Sequence, residues 1–83
     1  MPKKPPHPAL KALGHRIRVE RTRCALSQEA LADKAGLDRS FMSGIERGVR
    51  STSVINILKI ADALGVTPGL LLDRLPPLVL FCL

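Results

Sequence analysis

Residues 26–48 carry the most informative pattern in the chain, LSQEALADKAGLDRSFMSGIERG. Ser27 is a favourable N-cap residue, and the pattern after it predicts a short helix that ends at Gly36, since glycine readily takes a left-handed conformation. Asp38 caps a second short helix, which the pattern predicts to stop at Gly48. Two short helices joined by a glycine-containing turn of about three to four residues are typical of a helix-turn-helix motif.

The polar face of the second predicted helix is the first candidate for a binding surface. Its apolar residues Met42 and Ile45 are expected to pack against the preceding helix. The opposite face then presents Arg39, Ser40 and Ser43, short or hydrogen-bonding side chains near the helix N-terminus. A helix fits the DNA major groove, where arginine can donate two hydrogen bonds to guanine. This face is therefore a candidate for reading base edges.

Helical patterns continue on both sides of the motif. Apolar residues before it recur at helical spacing, and Ser53 and Thr67 are the N-caps predicted for two later helices. No stretch alternates in the manner of a half-buried strand. We therefore predict an all-α domain of five helices, of which the three outside the motif span about 9–23, 54–64 and 68–74.

Length and proline content predict the domain organisation. The 83 residues allow a single compact domain. Four of the seven prolines lie in the first eight residues, so we expect an extended, flexible arm there. The prediction divides the chain into a basic, proline-rich arm (1–8), a helix-turn-helix domain (9–75) and an apolar tail (76–83).

The net charge of +6 is concentrated at one end of the chain. Residues 1–26 hold seven basic residues and one acidic residue, whereas residues 27–83 are neutral. Such a surplus suits a polyanion, and a basic arm with a basic first helix could face DNA phosphates. The alternative is an ordinary solvated helix face with a solubilising arm, and charge alone does not separate the two.

Composition disfavours several classes of protein. The longest apolar run, 78–83, is far shorter than the roughly 20 residues of a membrane helix, and no apolar segment behind the N-terminus indicates a signal peptide. Two cysteines are too few for a disulfide framework, and Cys24 falls on the apolar face of the first helix, so it is expected in the core. We therefore expect a soluble protein of the reducing cytoplasm.

Catalytic and metal-binding patterns are missing from the sequence. His7 and His15 lack acidic or cysteine partners at ligand spacing, so we expect no metal site. The chain has no glycine-rich phosphate loop and no Ser/His/Asp set. We expect no enzyme activity and no cofactor.

The fourth predicted helix is more apolar than one buried stripe requires. Between residues 54 and 64 only Asn56, Lys59 and Asp62 are polar. Either a second subunit covers the additional apolar face, or the tail 78–83 folds back onto it within the monomer. The first alternative predicts a homodimer formed through the fourth and fifth helices.

Several motifs together resemble the Cro and phage-repressor type of helix-turn-helix regulators, the XRE family, over about residues 10–73. Within 37–50 the chain is especially similar to the controller proteins of restriction–modification operons, in which a small dimer regulates its own promoter and the endonuclease gene. The motifs that carry the resemblance are Gly14-x-x-Ile17-x-x-x-Arg21, Leu26-Ser27-Gln28-Glu29-x-Leu31-Ala32, Gly36, Ile45-Glu46-Arg47-Gly48 and Ala61-Asp62-Ala63-Leu64-Gly65-Val66.

The resemblance implies a lambda-repressor-like fold and sequence-specific binding of double-stranded DNA by a dimer. Dimers of this kind place two recognition helices roughly 34 Å apart on half-sites about 10–10.5 bp apart. Gln28 would lie at the start of the first motif helix, where amides favour phosphate. Arg21 and Glu46 match a partly buried ion pair. The implied base-reading residues are Arg39, Ser40 and Ser43, and the implied phosphate-binding residues are Ser27, Gln28, Arg47, Arg50 and Ser51.

Three positions depart from the family pattern. Ala25 stands where a glycine is usual, which predicts a strained first turn. Gly44 replaces a side chain that reads DNA in many relatives, and Ser51 replaces an asparagine common in the controller-like run. The alternative function is a protein-interaction module, such as an antitoxin-like partner that masks another protein with its apolar tail.

Overall fold

The computed structural model describes residues 7–76, and that part of the chain is all-α. The arm residues Lys3 and Lys4, the tail 77–83 and Cys82 lie outside the described residues. The five predicted helices are confirmed within 7–76, and they are α1 (Pro8–Arg23), α2 (Gln28–Ala35), α3 (Arg39–Glu46), α4 (Val54–Leu64) and α5 (Pro68–Leu72).

Two helix bounds differ from the prediction. His7 is the N-cap of α1, its Nδ1 accepting a hydrogen bond from the Ala9 N–H at 3.0 Å, so the last two residues assigned to the arm form the start of the helix. At the other end of the domain α5 stops at Leu72 rather than near Arg74, because Asp73 is extended and Arg74 has a φ of 56°.

The other four helices begin at the caps that the sequence predicts. In each case a side-chain oxygen of the cap accepts a hydrogen bond from the backbone N–H three residues later, which satisfies a donor that the first helical turn leaves unpaired. The cap oxygens belong to Ser27, Asp38, Ser53 and Thr67, at 3.0, 3.2, 3.1 and 3.3 Å.

Four of the helices end in the same backbone motif, in which a left-handed residue follows the helix. That residue is Gly36 after α2, Gly48 after α3 and Gly65 after α4, with φ values of 71°, 74° and 71°. After α1 it is Ala25, with a φ of 58°, and the next N–H, that of Leu26, donates to the Arg21 carbonyl at 3.1 Å. The predicted strain at this turn therefore has a structural counterpart, because a left-handed conformation is unfavourable for any residue with a Cβ atom.

The helices enclose one apolar core, with α2 packed on α4 and α1 packed on α3. Cys24 does not belong to it: the expectation of a core cysteine is wrong, because Cys24 follows the last residue of α1 and its side chain is exposed. The largest fully buried side chains are Ile17, Leu31, Met42, Ile45, Ile60 and Leu71.

Gly14 allows α1 and α3 to approach each other closely. A Cβ atom at this position would lie 2.5 Å from the Glu46 carbonyl oxygen and even closer to that of Ile45. Both oxygens belong to the backbone, so no side-chain rotation could relieve the overlap. The absence of a side chain at Gly14 therefore helps to set the position of α3 on the domain.

An apolar face remains uncovered on α4 and α5 in the described part of the chain. Val54 and Ile55 are 70% and 60% exposed, and Leu58 lies one turn further along α4. Leu70 and Leu72 add to the exposed apolar surface on α5. The additional apolar residues of α4 are thus exposed within the described part of the chain, and the two alternatives for what covers them stay predictions. No helix within residues 7–76 is long and apolar enough to cross a membrane.

Candidate nucleic-acid interface

The second and third helices form a tightly joined pair that presents α3 to the outside. Only residues 36–38 separate them, and the N–H of Leu37 donates to the Ala32 carbonyl at 2.8 Å. Met42 and Ile45 are buried on the inner face of α3. The angle of α3 is therefore determined by apolar packing, and its other face is available for contacts.

The predicted base-reading residues lie on this outer face and share one concave surface. Arg39 and Ser40 are exposed, and Ser43 is half-buried. Together with Gln28 and Arg47 they line a concavity of about 290 Å³. The structure thus brings two of the predicted phosphate-binding residues next to the three predicted base-reading ones. A surface with two guanidinium groups, two hydroxyls and an amide is suited to a polyanion with hydrogen-bonding edges.

An ion pair lies directly behind this concavity. Arg21 Nε is 2.7 Å from Glu46 Oε2, and Arg21 Nη2 donates to Glu46 Oε1 at 3.1 Å. The Glu46 side chain is 2% exposed and that of Arg21 is 14% exposed. Arg21 Nη1 also donates to the Leu26 carbonyl at 2.8 Å. This bidentate pair connects α1 to the C-terminal end of α3 and to the segment that leads into α2.

Gln28 is the third member of that network. Its Nε2 donates to Glu46 Oε1 at 3.1 Å, so its amide nitrogen is oriented towards the ion pair. The side chain of Ser27, also predicted to bind phosphate, accepts the capping hydrogen bond from the Ala30 N–H. The side chains of Ser27 and Gln28 are thus each engaged within the domain, and the first turn of α2 has other backbone N–H groups without a partner in the helix.

The arginines fall into two groups according to whether the protein itself supplies a hydrogen-bond acceptor or an ion-pair partner for their guanidinium groups. Arg16 donates to the carbonyls of Leu70, Leu71 and Asp73, which caps the C-terminal end of α5. Arg23 pairs with Glu20 at 3.1 Å. Hydrogen-bond acceptors within 7–76 are present for Arg16, Arg21 and Arg23, whereas Arg74 has only an ion-pair partner, Asp73, at 3.9 Å. The arginines with neither kind of partner among the described residues are Arg18, Arg39, Arg47 and Arg50.

This division bears on the basic first helix. Arg16, Arg21 and Arg23 contribute to the N-terminal charge surplus, but each is engaged within the domain. Charge counts along the sequence could not show this for Arg16 and Arg21, because their acceptors lie on α5, on α3 and in the segment before α2, whereas the partner of Arg23 is Glu20 on the same helix. Of the four arginines with neither kind of partner among the described residues, three are on α3 or just after it: Arg39, Arg47 and Arg50.

Arg50 and Ser51 do not line the concavity with the other predicted residues. Both are exposed in the loop between α3 and α4. The Arg50 Cζ atom lies 5.9 Å from the centre of the Phe41 ring, within range of a cation–π interaction. Sequence reasoning did not predict this contact, because a phenylalanine in an amphipathic helix is ordinarily a core residue and no spacing rule links it to a loop arginine nine residues later.

The fold and this surface define a helix-turn-helix protein, with α2 and α3 as the motif. The family model described as helix-turn-helix matches residues 17–71, and the chain belongs to that family.

Similar proteins include regulators of restriction–modification systems. The control protein C.BamHI of Bacillus amyloliquefaciens is 46% identical over 61 residues, which cover 72% of this chain and 75% of that protein. The crystal structure of the restriction–modification controller protein C.AhdI from Aeromonas hydrophila is 49% identical, with a TM-score of 0.77 over 78% of this chain and 98% of that one.

A more distant similarity includes a DNA complex. The crystal structure of SinR, described as the master regulator for biofilm formation, in complex with DNA has a TM-score of 0.71 and 35% identity. The match covers 74% of this chain and 98% of that chain. The SinR protein of Bacillus subtilis is described as a transcriptional regulator of the helix-turn-helix type.

Proposed function

We propose that this protein is a transcriptional regulator that binds a specific sequence in double-stranded DNA through the major groove. The observation that carries the proposal is the outer face of α3, where Arg39, Ser40 and Ser43 project opposite the buried residues Met42 and Ile45. A helix with this distribution can enter the groove without losing its packing on the domain. Membership of the helix-turn-helix family and the DNA complex of SinR support the same function.

The site residues are proposed to act in two classes. Arg39, Ser40 and Ser43 contact base edges, and arginine at the start of the helix suits guanine because its planar fork meets two acceptors in the major groove. Arg47 and Ser51 contact the phosphate backbone beside the groove, together with Ser27 and Gln28 at the start of α2. Phosphate contacts position the protein but carry no sequence information.

The active form is proposed to be a homodimer whose subunits meet through α4 and α5. The exposed apolar residues on these helices supply the self-complementary surface that a two-fold interface requires. Two copies of α3 then face the same side, roughly 34 Å apart, and read half-sites separated by one helical turn of DNA. The protein acts in the cytoplasm, without a cofactor and without catalytic activity of its own.

The particular role proposed is that of a controller of a restriction–modification operon. The identities of 46% to C.BamHI and 49% to C.AhdI support this role. The resemblance noted in the sequence over residues 37–50 covers both the start of α3 and the arginines after it, which are among the residues proposed to touch DNA.

The experiment is selection of bound duplexes from a random pool, followed by titration of the selected duplex and a scrambled one at several salt concentrations. The expected result is a two-fold symmetric site bound at least about a thousandfold more tightly than the scrambled duplex. A protein that enriches no sequence and binds both duplexes equally would contradict the proposal. That result would instead favour the interaction-module alternative.

A further inference from the structure

The side chain of Arg50 lies against the recognition helix at the position where that helix lacks a side chain. A Cβ atom built on Gly44 would be 2.7 Å from Arg50 Cγ, 3.1 Å from Cδ and 3.4 Å from Cβ. The three nearest atoms outside the backbone of α3 thus all belong to the stem of Arg50. The loop after α3 therefore places an arginine stem in the space that a side chain at position 44 would occupy.

Position 44 borders the proposed reading face. At about 100° per residue, it lies beside Ser40 and one turn after it along the same side of α3. Gly44 is itself buried, and in the described structure it is the Arg50 stem that covers it. The face of α3 directed at DNA is thus completed by a residue from outside the helix.

Phe41 holds the far end of the same side chain. The Arg50 Cζ atom is 5.9 Å from the centre of the Phe41 ring, so the guanidinium group is attracted to the aromatic face. An arginine stacked in this way loses less conformational freedom when its N–H groups form hydrogen bonds. Within residues 7–76 no acceptor takes a hydrogen bond from Arg50, so all its donors are available to a ligand.

We infer that Arg50, supported by Gly44 and Phe41, is a further specificity-determining residue that reads a base edge in place of the missing side chain at position 44. The inference rests on the proposed function, and it reassigns Arg50 from the phosphate-binding class predicted from the sequence. An arginine in this loop that only bound phosphate would require neither the space that Gly44 leaves on α3 nor stacking on the Phe41 ring. The preferred base is guanine, which accepts both hydrogen bonds of an arginine fork in the major groove.

The test compares Arg50→Lys and Arg50→Ala with the unmodified protein on the selected operator and on every single-base variant of it. If Arg50 reads a base, Arg50→Lys loses about 5- to 150-fold of discrimination at one base pair per half-site, because an ammonium group lacks the bidentate fork. Its binding to scrambled DNA stays close to that of the unmodified protein, since the charge is kept. The base pair affected differs from the one affected by Arg39→Ala.

Gly44→Ala tests how the Arg50 side chain packs on α3, and it leaves the guanidinium group itself unchanged. The added methyl group displaces a flexible stem and meets no backbone, and Gly44 is helical, so the variant is expected to fold. It should lose discrimination at the same base pair as Arg50→Ala, and the double variant should be no worse than Arg50→Ala alone. Phe41→Leu keeps an apolar side chain without the ring and should lose part of the same discrimination.

The outcomes separate this inference from the proposed function. If the unmodified protein is specific but Arg50→Ala weakens operator and scrambled duplexes equally, with Arg50→Lys restoring both, Arg50 is a phosphate contact and the inference is wrong. Unchanged discrimination between base pairs in Gly44→Ala would also overturn the inference, because base reading by Arg50 would then not depend on the space at Gly44. If the unmodified protein shows no sequence preference, it is the proposed function that fails.

Discussion

Replacing Ala25 with glycine should stabilise the domain. Ala25 is left-handed, with a φ of 58°, in the turn that ends α1, and the Leu26 N–H closes that turn onto the Arg21 carbonyl. A left-handed conformation costs a residue with a Cβ atom about 1–2 kcal/mol. Glycine removes this strain, but its unfolded chain gains freedom worth about 0.5–1 kcal/mol. The Ala25 side chain is exposed, so its removal sacrifices no packing.

The expected net effect of Ala25→Gly is an increase of about 0.5–1 kcal/mol in the free energy of unfolding. For a domain of this size that corresponds to a rise of roughly 2–8 °C in Tm. The assay is thermal and urea unfolding followed by circular dichroism. All variants are compared at one protomer concentration, because dimerisation makes the apparent stability depend on concentration.

Gly65→Ala is the matched control for this prediction. Gly65 ends α4 in the same motif with a φ of 71°, and a Cβ atom there would meet nothing within 4 Å. The control changes only backbone strain and should destabilise the domain by a similar amount. A loss of stability in Ala25→Gly alongside a loss in Gly65→Ala would refute the reasoning that strain at Ala25 outweighs the entropy of the unfolded chain.

Three further predictions concern the ion pair, the helix contact and the dimer. Glu46→Ala leaves the Arg21 guanidinium without its carboxylate and should lower the free energy of unfolding by about 3–5 kcal/mol. A loss below about 1 kcal/mol in a urea titration would show that the pair behaves as a solvent-exposed one. Gly14→Ala should cost at least about 1–3 kcal/mol in the same titration, since its methyl group meets backbone oxygens, and an unchanged midpoint would contradict the close contact of α1 with α3. Ile55→Lys should weaken self-association at least about tenfold in sedimentation, whereas the control Val19→Lys, which adds the same charge on α1, should not. An unmodified protein that sediments as a monomer at tens of micromolar would contradict the dimer.

The helices were predictable because their ends are determined locally. A cap such as Ser53 or Thr67 acts on an N–H three residues away, so the sequence alone carries that signal. Ala25 was predictable for the same reason, since its strain follows from one residue in one turn. The end of α5 was less predictable from the sequence, because the proline at position 76 marks only the latest residue at which the helix can end.

The partners of long side chains could not be predicted from composition or periodicity. Arg16 reaches the end of α5, which is 54 to 57 residues away along the chain, so a charge count assigns it to the surface. Cys24 matches the apolar period of α1 but lies one residue beyond the helix, where that period no longer applies. The contact of Arg50 with Gly44 depends on how the loop after α3 folds back, which no spacing rule encodes.

The central claim is that the outer face of α3 reads base edges while neighbouring residues bind the DNA phosphate backbone. A comparison of Arg39→Ala with Arg47→Ala tests it most directly. Each variant is titrated against the selected operator and a scrambled duplex at several salt concentrations. Arg39→Ala should bind the operator about 5- to 150-fold more weakly, lose preference at one base pair and leave binding to the scrambled duplex nearly unchanged. Arg47→Ala should weaken both duplexes alike and reduce the salt dependence by about one unit of slope. If Arg39→Ala weakens the two duplexes equally, the outer face of α3 does not read bases.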